Sequence, residues 1–498
     1  MGEYIMTIDA GTSSVRSVIY DRGGECISLA AQEFTQYYPQ NGLIEQDANE
    51  IWGTAQSVIK KTLQQKGIND DEIKAIGITN QRETVVIWDK YDGKPVYRAI
   101  VWGDRRTSDY CKELRKSGCE QMVKEKTGLV MDPYFSATKI RWILDNVDGV
   151  RARAERGDLL FSNIDGWIAW NLTCGSAHVT DYSNASRTLI YNINDLKWDK
   201  ELLELFKIPE CMLPKVQPSS GHFANTSNSV FNNEIPIEGI IGDQQSATFG
   251  QCCFKEGLSK FTYGTCGTIT VNIGEKPAAS KNGMLTTIGW GYNNKVEYLL
   301  EGTVYNTGST IQWLRDELQF LEASEDSEYF ARKANTIGQV YLVPVFSGFG
   351  APYWDPYARA AIVGISRGSN KNDIIRSALD SMGYQTRDMF DAMNEDLPSP
   401  IQLLRVDGGA CKNNLMTQFV ADILGVDVER PVDVETTAGG VAYLAGLSIG
   451  FWEDLDEITK LRKIDKVFSP KISSERRAEL YNGWKRAVNS ILHWSKNR

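Results

Sequence analysis

Histidine is nearly missing from this sequence: His178, His222 and His493 are the only three in 498 residues. A metal centre built on several imidazoles, or a proton relay through them, is excluded by that count. No apolar run approaches the ~18–20 residues that a membrane-spanning helix needs. No block of basic residues marks a nucleic-acid or acidic-membrane surface. Lys and Arg number 54 against 64 Asp and Glu, a net charge of −10 with the signs interspersed. The opening Met1-Gly2-Glu3-Tyr4-Ile5 lacks the charged-then-apolar pattern of a secretory leader, and Met6 breaks the myristoylation pattern. Nine cysteines, odd in number and scattered, fit a reducing compartment. The expectation is a cytoplasmic protein with no membrane insertion and no nucleic-acid partner. The phosphate loop Gly-x4-Gly-Lys-Ser/Thr is also absent.

What remains for chemistry is carboxylates, backbone amides, hydroxyls, Arg and Lys. The chain has 43 glycines, enough for many tight turns or close backbone–ligand approaches. At roughly 100–200 residues per domain, its length allows two to four domains. It opens with three strands, Tyr4–Ile8, Val15–Tyr20 and Cys26–Phe34, the first two joined by Asp9-Ala10-Gly11-Thr12-Ser13-Ser14. A helical period follows over 50–65, then strands at 73–79 and 84–89, and an amphipathic helix at 136–146. The pattern restarts at 260–268, where Gly264-Thr265 joins two further strands. Two Gly-containing hairpins also arise by coincidence. Read as an internal repeat, they predict two similar α/β domains with a cleft between them, divided near 250–257. Later helices are expected from Asn372/Asp373 to about Asn394, from Asn413, and over 439–450.

Several segments could carry chemistry. Gly11, Thr12, Ser13, Ser14 and Arg16 offer amides, hydroxyls and fixed charge for a polyphosphate, and Asp9 at a strand end could hold Mg²⁺ directly or through water. Taken alone, the segment reads first as an ordinary hairpin turn. Asp407-Gly408-Gly409 leads into the helix at Asn413, where a phosphate or flat ring could approach; a plain strand-to-helix turn explains it as well. Arg82 and Glu83, inside Thr79-Asn80-Gln81-Arg82-Glu83-Thr84, supply donors and acceptors suited to a polyol. Tyr134 presents a phenol, and Asp243 follows an apolar strand, where active-site carboxylates often sit. Each of these is an ordinary polar loop if isolated. Gly446-Leu447-Ser448-Ile449-Gly450 fits a hydrolase elbow pattern but lies at a helix end with no histidine base in view. Cys252-Cys253 lacks metal-ligand spacing.

Together the segments resemble the FGGY carbohydrate kinases, and within them the glycerol kinases, over nearly the whole chain. One signature runs from Tyr134 to Asn146. The other joins Ala360-Ala361-Ile362-Val363-Gly364-Ile365 to Asp373–Asp380. Gly77–Thr84, Thr180–Thr188 and Gly350–Arg359 carry the narrower likeness. The resemblance implies an α/β fold of two duplicated actin-like (ribonuclease H-like) domains, 1–250 and 251–498, closing on ATP, Mg²⁺ and an alcohol in an interdomain active-site cleft. It implies that Arg82, Glu83, Trp102, Tyr134, Asp243 and Gln244 bind glycerol or a similar polyol, with Asp243 as general base and Asp9 and Asp243 near the metal. Thr12, Ser13, Ser14 and Arg16 would form the first phosphate loop and Thr265 the second. Gly308, Gln312, Gly409 and Asn413 would meet the nucleotide. Fold analogy adds a homodimer or homotetramer.

Two positions depart from the glycerol kinase pattern. Ala10 stands where that group usually has Gln, and Thr268 where a Phe usually faces the substrate carbons. A smaller, polar wall at Thr268 leaves open another acceptor, such as erythritol, xylitol or a pentulose. A non-catalytic actin-like sensor is a further alternative from another class. The glycine-rich loop of a sugar-bisphosphate regulatory site is not visible in 225–233.

Overall fold

The computed structural model describes residues 2–335 and 337–496. The outer limits of the two expected domains, 1 and 498, lie outside them. Tyr4–Ala10 (β1), Ser14–Tyr20 (β2) and Cys26–Glu33 (β3) form an antiparallel meander. Ala48–Lys66 (α1) starts where the Asp47 side chain accepts the Asn49 N–H, and stops at Gly67 in the left-handed region, φ 63°. Its buried stripe, Ile51, Ala55, Val58 and Ile59, has helical spacing. Ile73–Asn80 (β4) pairs parallel with β1. An insertion carrying Ser136–Asn146 (α2) follows, before Ser220–Asn225 (β5) and Pro236–Gly242 (β6) complete the sheet in the order β5-β6-β4-β1-β2-β3.

Asp243–Gly250 (α3) leads to the second sheet. Its strands are Ser259–Tyr263 (β7), Gly267–Asn272 (β8), Leu285–Tyr292 (β9), Lys295–Val304 (β10), Leu403–Asp407 (β11), Asp427–Pro431 (β12) and Ile464–Phe468 (β13). Among them lie Gly308–Asp316 (α4), Lys371–Asp396 (α5), Asn414–Leu424 (α6) and Thr436–Ser448 (α7), and Ser474–Ser495 (α8) closes the chain. The long helix α5 starts earlier than its sequence suggested. Asn370 is the cap, and Asp373 returns the capping-box bond to the Asn370 N–H at 2.9 Å.

The second sheet runs β9-β10-β8-β7-β11-β12-β13. Leaving out β9, it repeats the first strand for strand: β3-β2-β1-β4-β6-β5 matches β10-β8-β7-β11-β12-β13. Both series pair antiparallel, antiparallel, parallel, parallel, antiparallel. The repeated Gly-Thr hairpin of the sequence is therefore the corner of a repeated sheet.

Two helices exchange partners between the sheets. α7 follows a strand of the second sheet but packs on β1, β4 and β6 of the first, while α3 follows β6 and packs on β7 and β8. The two touch each other backbone to backbone. A Cβ on Gly440 would lie 1.9 Å from the Ser246 carbonyl oxygen, and one on Gly250 would lie 2.2 Å from that of Thr436. Among the described residues no helix is long and apolar enough to cross a membrane.

Asp165 is buried beneath the first sheet; Thr180 Oγ1 donates to its Oδ2, and its Oδ1 has no partner. Burial pushes the carboxyl up to about 7. The native state thus keeps a proton that the unfolded chain releases near ~3.9. This group costs stability as the pH rises between those values. Asp165→Asn should flatten the pH dependence of unfolding free energy across that window, measured by denaturant titration; an unchanged slope would contradict the assignment. Gly440→Ala should lower the thermal midpoint, with overpacking costing roughly 1–3 kcal/mol. Gly53→Ala is the control: its Cβ meets nothing within 4 Å on exposed α1, so it should leave the midpoint unchanged or raise it, by about 0.5–1 kcal/mol.

Candidate active site

The site forms where the ends of β1, β4 and β6 face the second sheet. β4 ends at Asn80 and the chain turns sharply: the Thr84 N–H donates to the Arg82 carbonyl at 2.7 Å, and Glu83 sits at φ 59°. A non-glycine residue in that region costs roughly 1–3 kcal/mol, and such strain gathers at functional sites. The turn sends both the Arg82 and Glu83 side chains inward, and both are buried.

Arg82 reaches across to β10. Its Nη1 and Nη2 donate to Glu301 Oε2 at 2.5 Å and Oε1 at 3.1 Å, while Nε lies 3.1 Å from Asp243 Oδ1. Arg187 Nε donates to Glu83 Oε1 at 2.5 Å, and its Nη2 lies 3.0 Å from Glu301 Oε1. Two arginines and two glutamates therefore balance inside the protein. Burial alone would raise the Glu301 carboxyl, but Arg187 and Arg82 hold it down at about 2. Arg187 also lies under the Tyr134 ring, 5.5 Å from its centroid, and Tyr134 meets Trp102 edge to face at 5.5 Å. Trp102 Nε1 in turn donates to Thr12 Oγ1 at 3.0 Å. The loop bearing Tyr134 is held by buried Lys139, whose ammonium donates to the carbonyls of Pro133, Tyr134 and Phe135 at 2.8, 2.5 and 3.0 Å. Burial brings Lys139 down to about 7.

Asp243 is the first residue of α3. The Gln244 N–H donates to its Oδ1 at 2.7 Å. Burial raises its carboxyl to about 6, against the pull of Arg82. A carboxylate that binds a proton this readily is suited to general-base work. Gln244 Oε1 accepts from buried Lys260 Nζ at 2.6 Å.

Asp9 is buried on β1 opposite Arg16 on β2. Arg16 Nε and Nη2 both bond Asp9 Oδ2, at 3.1 and 2.5 Å, and Nη1 bonds Glu435. Ser13 and Ser14 at the hairpin keep their hydroxyls free of protein partners among the described residues. In the second hairpin Thr262 faces Thr268, the place that Asp9 and Arg16 hold in the first. Thr268 is buried on β8, its hydroxyl 3.3 Å from that of Thr303. The Thr265 carbonyl accepts from the N–H groups of Thr307 and Ser309 at 3.0 and 3.2 Å, and the Gly308 N–H donates to Gly264 O at 3.0 Å. The second loop is thereby tied to the start of α4, on which Gln312 stands exposed.

Gly408 and Gly409 differ. Gly408 has φ 82°, and a Cβ there would lie 2.6 Å from the Tyr263 carbonyl oxygen; one on Gly409 would meet nothing within 4 Å. Asn413 caps α6, its Oδ1 accepting the Met416 N–H at 3.0 Å. No contact joins Gln312, Gly409 or Asn413 to the Arg82 cluster among the described residues. Asp407 accepts from Gln251 Nε2 at 3.1 Å and Thr436 Oγ1 at 2.6 Å, tying the end of α3 and the start of α7 to β11.

Among the described residues no three His, Cys, Asp or Glu side chains are grouped to hold a metal ion. Mg²⁺ takes one or two carboxylates and completes its shell with water and substrate phosphates. Asp9 Oδ1 and Asp243 Oδ2 have no protein partner among the described residues, so both carboxylates fit that role.

Reading the residues in order missed Glu301, Arg187, Lys260, Lys139 and Gln245, whose Oε1 accepts from Arg82 Nη1 at 3.2 Å. Glu301 directly follows the apolar run Tyr298-Leu299-Leu300 on β10 and Lys260 precedes Phe261 on β7, a signal that could have flagged them. Arg187 lay inside a recognised segment with nothing local to mark its role.

The N-terminal domain model of the FGGY family of carbohydrate kinases matches residues 4–250, and its C-terminal domain model matches 260–449. Among curated proteins, the chain is 54% identical to the glycerol kinase of Halothermothrix orenii over 495 residues, 99% of both chains. It is 55% identical to that of Thermoanaerobacter pseudethanolicus over 496 residues, all of both. Among solved structures, the glycerol kinase of Plasmodium falciparum with ADP superposes with a TM-score of 0.91 at 34% identity, covering 99% of this chain and 98% of that one. On the repeated sheet, the site between its halves and these matches along the chain, the protein belongs to the FGGY family of carbohydrate kinases.

Proposed function

We propose that this chain transfers the γ-phosphoryl group of ATP to a primary hydroxyl of glycerol, giving sn-glycerol 3-phosphate. The observation that carries the reading is the contact of Arg82 with Asp243 beside Glu83, in a family whose relatives at 54–55% identity are glycerol kinases. An alcohol is a poor nucleophile until its proton leaves. Asp243 takes that proton as the new O–P bond forms and the bond from the γ-phosphorus to the bridging oxygen breaks, releasing ADP. Arg82 donates to hydroxyl oxygens and Glu83 accepts from hydroxyl protons, so the pair grips adjacent hydroxyls of a short polyol. The edges of Trp102 and Tyr134 cover its carbons.

The hydroxyls of Thr12, Ser13 and Ser14, the Arg16 guanidinium and the Thr265 loop supply donors for the phosphates. Gly409 leaves room for the nucleotide beside α6. Asp9 and Asp243 would hold Mg²⁺, which neutralises phosphate charge when bound. Most of the rate gain then comes from alignment and charge neutralisation.

A second acceptor class has one specific observation in its favour. Thr262, Thr268 and Thr303 align across β7, β8 and β10, giving a hydroxyl-lined wall rather than an aromatic one. Such a wall suits a longer polyol or a ketose.

Asp243→Asn should keep ATP affinity within a few-fold while turnover falls ~10²-fold or more. Near-normal turnover would sink the base assignment. Comparing kcat/KM for glycerol, dihydroxyacetone, erythritol, xylitol and pentuloses identifies the acceptor. Thr268→Phe should move that ratio toward glycerol and away from xylitol; an unmoved ratio would remove Thr268 from the substrate wall.

A further inference from the structure

Lys260 is fully buried on β7, four residues before the Gly264–Thr265 turn. Buried cations are ordinarily paired, because an isolated one loses its hydration without return. Arg82 and Arg187 obey this rule, meeting Glu301, Glu83 and Asp243. Lys139 and Lys260 do not: among the described residues neither ammonium forms an ion pair, and where Lys139 is held by three backbone carbonyls, Lys260 meets side chains. Its contacts are neutral, Gln244 Oε1 at 2.6 Å and Thr262 Oγ1 at 2.7 Å. Burial works against its charge and pulls its titration downward, while those two acceptors and the more distant field of Asp407, Asp243 and Glu301 favour it.

The contact with Gln244 has a chemical consequence. An ammonium donates and never accepts, so the amide must turn its oxygen toward Lys260 and its NH₂ away. While Lys260 carries its proton, this contact fixes which end of the amide is the oxygen. That NH₂ donates to no protein acceptor among the described residues, yet it is not sealed from solvent. It stands one residue after Asp243, at the start of α3. Each hydroxyl of an acceptor alcohol has one proton. Where Asp243 or Glu83 takes that proton, the hydroxyl oxygen can bond further only as an acceptor. The site therefore needs donors there, and the locked NH₂ is one.

We propose that Lys260 is a positioning residue for the acceptor alcohol: it fixes the Gln244 amide so that Nε2 donates to a hydroxyl oxygen of the polyol. This rests on the polyol-kinase reading and names a further residue in its specificity. It also accounts for the unpaired charge. A neutral donor would hold the amide less firmly, and a carboxylate beside Lys260 would draw it away from Gln244.

Lys260→Met keeps the linear shape and removes the donors. It should raise KM for the polyol roughly tenfold or more while KM for ATP stays within about threefold. Gln244→Ala should show the same pattern, and adding Lys260→Met to it should change polyol KM little further, because the two side chains act as one unit. An equal loss in both backgrounds, or a loss on the ATP side alone, overturns the proposal. Gln244→Glu tests it without altering Lys260. A carboxylate held by Lys260 presents an acceptor where a donor is required, so polyol KM should rise above that of Gln244→Ala. Wild-type-like binding by Gln244→Glu overturns the proposal. All constants are measured with the polyol that the wild-type enzyme turns over best. An active wild type with an additive cycle removes Lys260 alone; a wild type inactive on every polyol removes the kinase reading and this assignment with it.

Discussion

The buried pairing of Arg82 with Glu301 is the contact on which the site depends. Arg82 comes from the turn after β4 of the first sheet, and Glu301 from β10 of the second. Each offsets the desolvation of the other, since an unpaired internal charge costs several kcal/mol. Each sheet thus completes the other's charge at the floor of the cleft. Glu83 and Arg187 extend the arrangement to two cations and two anions, and Asp243 joins at its open edge through Arg82 Nε. Asp243 lies against the same guanidinium that joins the two sheets. The placement of Asp243 and the contact between the sheets consequently share one side chain, Arg82.

Duplication supplies the frame and divergence supplies the chemistry. The two sheets agree in strand order and direction, yet their hairpins carry different residues at matching places. Where the first has Asp9 opposite Arg16, the second has Thr262 opposite Thr268. One corner is charged, suited to phosphates and metal; the other is hydroxylic, suited to an alcohol. Crossing of α3 and α7 fixes how the corners face each other. Glycines at their contact let the backbones approach within a distance that no side chain would allow.

Much of this was legible before any coordinates. The apolar strand runs Tyr4–Ile8 and Val15–Tyr20 around a polar Gly-Thr-Ser turn, and the helical spacing of α1 and of the 136–146 helix, carry their own signal. Asp243, Arg82 and Glu83 stand out as polar residues immediately after or between apolar strands. Asn370 was missed as the cap of α5 because Asn372 and Asp373, close by, have equal capping chemistry. Arg187 and Glu301 were missed for a different reason: each has its meaning only in a partner more than a hundred residues away.

The sequence by itself determined the elements, the repeat and the supply of chemical groups, because hydrophobic periodicity and turn chemistry act over a few residues. It also excluded histidine chemistry by count. Tertiary structure alone decided which charges balance and which stay unpaired. Ion pairing and desolvation depend on distance in space, and strands far apart in the chain meet across the cleft. The same two strands show both limits: β10 looks like an ordinary buried strand until Glu301 finds Arg82, and β7 hides in Lys260 a cation whose nearest partners are an amide and a hydroxyl.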